Sequence, residues 1–134
     1  MRTKLAIGVT GVALLLVAVP LWAHHAFTAE FDANAPIKLQ GTVAKVELIN
    51  PHSWIHIDVK GSDGKVTRWM IEGGTPNTLL RRGFTKNSLP IGTAINVDGY
   101  RAKDGSNKAN GRDITFPDGK KIFLGGSSPD APKQ

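Results

Sequence analysis

The chain has 134 residues, with 17 Lys plus Arg against 11 Asp plus Glu, a formal charge of +6 and no Cys. That length suits one small domain and excludes a multidomain enzyme. The missing Cys excludes disulfides, thiolate metal sites, thiol nucleophiles and iron–sulfur clusters, so any metal must be held by His, carboxylate or backbone groups. A positive charge raises nucleic acid as a partner, but the first residues change what that charge means.

Arg2 and Lys4 precede an uncharged run from Leu5 to Ala23 that contains Pro20 and ends in Leu21-Trp22-Ala23. A basic start, an apolar stretch, a helix-breaking Pro and a small final residue form the layout of a secretory leader over residues 1–23. The competing reading is an uncleaved anchor, which would be the chain's only link to a membrane. Gly8, Thr10, Gly11 and Pro20 weaken that span. Cleavage after Ala23 leaves 111 of the 134 residues and, with Arg2 and Lys4 gone, lowers the charge from +6 to +4. The expected location is therefore periplasmic or secreted, within a bacterial cell envelope. Nucleic acid is not an expected partner there, since the remaining cations are interspersed with acids.

Residues 24–36 lack sustained periodicity and read as an extended arm pinned by Phe27 and Phe31. A first strand follows from Ile37 to Leu48, with a change of phase at Ala44 that signals a bulge or bend. After an Asn50-Pro51 turn, Ser53–Lys60 puts Ile55, Ile57 and Val59 on one face and Trp54, His56 and Asp58 on the other. A Gly61–Gly64 turn leads to a third strand, Lys65–Glu72, with Thr67, Trp69 and Ile71 in phase. Thr75-Pro76 opens a short helix, Arg81 and Arg82 lie in its last turn, Gly83 caps it, and Leu79 with Leu80 would cover an open end of the core. Further strands are expected at Ala94–Arg101, Arg112–Phe116 and Ile122–Leu124, with residues 103–111 as a polar loop and 125–134 as a flexible tail. This order makes residues 37–124 an all-β domain with one short helix, an OB-fold-like barrel of five to six strands. The alternatives are a small β-sandwich or an SH3-like barrel.

The four histidines are the most informative chemical feature. Cleavage after Ala23 would make His24 the N-terminus, so that an α-amine and an imidazole, both able to lose protons near neutrality, close a chelate ring on a metal. His25 adds a second imidazole and His52 a third, with His56 as a substitute. At about 3.3 Å per strand residue, positions 52 and 56 are about 13 Å apart when extended, so one of them and not both would join the N-terminal pair. The metal expected is copper or zinc, and the Irving–Williams order favours copper. Trp54, on the polar face of its strand, is a candidate platform for a partner protein or glycan, with Arg81 and Arg82 as accompanying cations. The acids Glu30, Asp32, Glu47, Asp58 and Glu72 read as solvated surface groups. No nucleophile, base and oxyanion site can be assembled, so the expectation is a binding protein rather than an enzyme.

Several runs together carry a family likeness: Ala23-His24-His25-Ala26-Phe27, Glu30-Phe31-Asp32, Gly41-Thr42-Val43, Asn50-Pro51-His52-Ser53-Trp54, Pro76-Asn77 with Leu80-Arg81-Arg82-Gly83-Phe84, and Gly99–Ser106. Over about residues 23–124 the chain resembles a family of small exported bacterial proteins of unknown function, domain-of-unknown-function family 6152. The resemblance implies export and a single β domain. It also draws attention to His24, His25 and His52, which fall within its motifs, and away from His56, which does not.

Overall fold

A computed structural model describes residues 26–125. The leader, its cleavage point, His24, His25 and tail residues 126–134 lie outside the described residues. After a helical turn at residues 26–30 the chain forms β1 (Phe31–Glu47), β2 (Trp54–Lys60), β3 (Val66–Glu72), α1 (Pro76–Arg81), a 3₁₀ turn (Lys86–Ser88), β4 (Ala94–Ala102), β5 (Lys108–Thr115) and β6 (Lys121–Phe123). The strands run in the order β3-β2-β1-β4-β5-β6, and β5 pairs back onto β3, closing five of them into a ring. The closing β3–β5 pair is parallel, whereas the other neighbours are antiparallel. This is an all-β, OB-fold-like barrel with one short helix between its third and fourth strands.

β1 serves two sides of that ring. Pro36–Thr42 pair with β4 and Thr42–Glu47 with β2, and the register shifts between Val43 and Lys45, where the change of phase calls for a bulge. The extra residue bends the strand so that one segment turns the barrel's corner. Inside, Val43, Ile55, Ile57, Ile71, Val97 and Ile114 are all at most 1% exposed, and Trp69 joins them. Helix α1 begins as its sequence demands: the Thr75 hydroxyl accepts from the Thr78 amide and Pro76 occupies the first turn. Leu79 is buried over the core, but Leu80 is 50% exposed. A six-residue helix turns only one of two adjacent leucines inward, so the expectation that both cover the core is corrected.

Two boundaries also move. β1 begins at Phe31, not Ile37, and residues 26–30 are helical, so the segment before Ile37 is not a plain extended arm. Phe27 and Phe31 do pin it. Their rings lie 5.8 Å apart, Phe27 meets Tyr100 edge-on at 5.6 Å, and the two phenylalanines form a second buried cluster with Tyr100 and Ala102. β5 begins at Lys108, not Arg112, so half of the expected polar loop is strand. Lys108–Asn110 pair with β3 on one edge while Ala109–Gly111 pair with β4 on the other. Backbone pairing on both sides, rather than apolar alternation, makes this segment a strand.

That closure needs two glycines. Gly99 and Gly111 face one another across β4 and β5. A Cβ on Gly99 would stand 2.1 Å from the Asn110 carbonyl oxygen, and one on Gly111 would stand 2.7 Å from Ile71 Cγ2. Only strands without side chains at these points can pack so closely.

Candidate functional site

His52 enters from the turn just before β2. The Ser53 amide donates to the Gly74 carbonyl at 2.9 Å and the Gly73 amide to the Ser53 carbonyl at 2.8 Å, extending the β2–β3 ladder and fixing the backbone on which His52 stands. Its Nδ1 is buried without a hydrogen-bond partner, and it lies 3.6 Å from Glu72 Oε1. That separation is too long for a hydrogen bond. The side chain as a whole is 30% exposed, so part of it reaches solvent although Nδ1 does not.

Glu72 ends β3 opposite Trp54 and beside Asn110 of β5. It is only 4% exposed, and its Oε1 accepts a 3.1 Å hydrogen bond from Asn110 Nδ2. The expectation of a solvated surface acid is wrong for this residue. In β3 it falls in the outward phase, opposite to Trp69 and Ile71, and nothing local to the strand signals burial. It is covered because β5 pairs beside it at the closing seam and because His52, on the extension of the β2–β3 ladder, sits over it.

His56 occupies a different environment. Its Nε2 lies 2.7 Å from Glu47 Oε2, and Lys45 Nζ reaches Glu47 Oε1 at 2.6 Å. Hydrogen bonds from Lys45 first, and from His56 second, hold the Glu47 carboxyl below the usual glutamate range. The two strand-region histidines thus fall in separate clusters, each with its own glutamate, and His56 is the one whose ring is already engaged.

Trp54 is half-buried, and Lys108 Nζ lies 5.9 Å from its ring centroid, so one of the chain's own cations sits at the expected platform. Arg82 donates to the Gly125 carbonyl at 3.1 Å and its guanidinium lies 4.9 Å from the Phe123 ring centroid, bracing the end of β6. Arg81 is exposed on α1. Among the described residues no three His, Asp or Glu side chains gather as a metal-holding group. His24 and His25 lie outside them. The segment that follows those two is firmly seated, however. Phe27 packs on Tyr100, Tyr100 pairs with Asn110 across β4 and β5, and Asn110 bonds Glu72. Glu30 also reaches Lys108 at 3.5 Å, and the Lys103 amide donates to the Glu30 carbonyl at 2.9 Å. Residues 27–31 therefore lie against β4 and against β5, the strand that carries Asn110.

The model of a family of unknown function, DUF6152, matches residues 12–111. The chain belongs to that family. The match spans the four histidines, Glu72, Asn110 and both closing glycines, and it ends before the second half of β5. No curated protein of known function matches the chain. Membership in DUF6152 thus places the chain among sequence relatives without saying what they do.

Proposed function

We propose that this is an exported cell-envelope protein that binds copper or zinc through a processed N-terminus, with His24, His25 and His52 as ligands. The observation that carries this reading is the buried, unpartnered Nδ1 of His52. A buried nitrogen left without a partner costs stability, and function is a common reason for retaining such a group. The seating of Phe27 against Tyr100 supports it further, because His24 and His25 precede that anchor by only three and two residues. Three such residues span at most about 11 Å of chain.

In this reading the leader does more than direct export. Its removal creates the amine that, with the His24 ring, closes a chelate. An imidazole-rich nitrogen set suits Cu²⁺ or Zn²⁺, and copper binds the more tightly of the two in a given site. Binding needs the α-amine in its neutral form, so affinity rises with pH through the ordinary α-amine range. The protein acts as a carrier or sensor that presents the metal to an envelope partner, without chemistry of its own.

The test is intact-mass measurement of the exported protein, then titration with Cu²⁺ and Zn²⁺. The expected N-terminus is His24. His52→Ala should weaken binding about 100-fold, since even residues that merely support a ligand are worth roughly 10- to 100-fold. His56→Ala should leave affinity within about twofold, the ring being engaged with Glu47. A mature terminus elsewhere, or His52→Ala binding like wild type, sinks the reading.

A further inference from the structure

The metal reading makes no use of β6, the one strand outside the ring. We propose that the free edge of β6, together with Arg82, is a docking groove for an extended acidic peptide of a partner protein, which adds to the sheet as one more strand beside Lys121–Phe123. Neither His52 nor the N-terminus enters it, so the two readings fail separately.

β6 stands last in the sheet order, so among the described strands only β5 pairs with it. The hydrogen bonds that flank it show which side is free. Leu124 donates its amide to the Arg112 carbonyl, and the Lys120 carbonyl accepts from the Phe116 amide, so the even-numbered residues turn their backbone groups toward β5. In an antiparallel ladder the residues between them point the other way, which directs the backbone groups of Lys121 and Phe123 off the sheet. Arg82 reaches that side from the end of α1, its Nη1 lying 3.5 Å from the Phe123 carbonyl oxygen. Between this edge and α1 is a concavity of about 600 Å³, lined by Arg82, Gly83 and Ser88 from one side and by the half-buried Phe116 and Phe123 from the other. An unpaired edge beside such a hollow is a template for a further strand.

Charge selects the occupant. Elsewhere on the barrel Lys38, Lys45, Arg68, Lys108 and Arg112 each pair with a carboxylate. Arg82, Lys120 and Lys121 line the groove together, and none of the three has a carboxylate partner among the described residues. The acid beside them, Asp118, accepts the Lys120 amide at 2.9 Å and is engaged in its own turn. Arg82 is held in place by the Phe123 and Gly125 carbonyls, both on Nη1, and by the Phe123 ring, so its Nε and Nη2 remain as donors for an incoming carboxylate. Lysines on an edge ordinarily keep other strands away, but they repel by charge, and the same charge attracts an acidic strand. The chain's own tail is poorly suited to this edge, because Pro129 and Pro132 lack the amide a ladder needs and its one acid, Asp130, is offset by Lys133.

The experiment titrates the capped hexapeptide Asp-Val-Asp-Val-Asp-Val into the full ¹⁵N-labelled chain at low salt and follows amide exchange. Two further peptides are compared with it: one has Lys for every Asp, and the other keeps the charges but is N-methylated at every residue, so that it cannot donate to a ladder. The parent peptide should slow exchange at the Lys121 and Phe123 amides, and both control peptides should bind at least about tenfold more weakly. Lys120→Glu with Lys121→Glu should weaken the parent peptide by about tenfold, as expected for two exposed charge pairs lost. A methylated peptide that binds like its parent would reveal a contact of charge alone and overturn the strand pairing. A lysine peptide that binds equally, a double variant that binds like wild type, or no binding at millimolar peptide overturns the acidic partner. If the two amides are protected without peptide and exchange freely once the chain is cut after Gly125, the tail holds the edge and the partner is not needed. Should the double variant not fold, the three peptides on the wild-type chain decide.

Discussion

The chain pairs a histidine with a glutamate twice, within five residues of one another along the approach to β2 and its first turns. On the outer face, His56 and Glu47 meet at 2.7 Å, with Lys45 completing the group. Just before the strand, His52 and Glu72 stand 3.6 Å apart around an unpartnered nitrogen. The residue types are the same and the chemistry differs. In the first pair ring and carboxyl meet directly on a part-buried face, with Lys45 beside them. In the second, the His52 nitrogen is buried without a hydrogen bond, which costs stability. A site is recognised here by what its groups still need rather than by which groups they are.

Three further substitutions press on that contrast, beginning with the largest effect. Gly99→Ala would push a methyl group into the Asn110 carbonyl, separating β4 from β5 and loosening the frame behind Glu72. A loss of about 3 kcal/mol is expected in chemical unfolding, at the upper end of ordinary overpacking. An unchanged midpoint would mean that the closure tolerates slack. Asn110→Ala removes the donor to Glu72 and should cost about 2 kcal/mol, the range for a hydrogen bond to a carboxylate in a buried setting. Denaturant melts of Asn110→Ala and of His56→Ala, compared side by side, should show a clear loss in the first and almost none in the second. If the two losses are equal, the distinction between the clusters is not energetic.

The smallest effect concerns Glu47. Lys45→Met should raise the Glu47 titration midpoint toward the usual glutamate range, as followed by NMR, because Lys45 is the first cause of its depression. The sign follows from linkage. A depressed carboxyl contributes stability above its unfolded value, and that contribution is lost as pH falls through the lower folded value. Glu47 stays in contact with solvent, so the melting temperature of Lys45→Met at neutral pH should hardly move. A large loss would show that the outer cluster is structural after all.

Most of the barrel is legible along the chain because its strands alternate. Ile55 and Ile57 point inward two residues apart, the phase change near Ala44 marks the bulge, and Thr75-Pro76 announces the helix. The misplaced start of β5 and the misjudged Glu72 have one origin. Both depend on the parallel contact between β3 and β5, which joins residues 38 positions apart and leaves no periodic trace in either segment. His52 is legible as a candidate from its turn, whereas the burial of Glu72 is not, since its contact with Asn110 across the closing seam is a property of the ring. The misread Leu80 has a simpler cause: on so short a helix two adjacent leucines cannot both face the core.

The buried Phe27 has one more consequence, for entropy rather than contact. A ligand two or three residues from a fixed anchor stays within about 11 Å of it, and such a short tether corresponds to a millimolar or higher local concentration. A metal held by His52 would thus, on the proposed reading, meet His24 and His25 far more often than any free imidazole in the surroundings. The reverse holds too: a metal bound at both ends would oppose the release of Phe27. The aromatic cluster and the ion would then stabilise one another across the barrel's wall, so that loading becomes measurable as slower opening of the N-terminal segment.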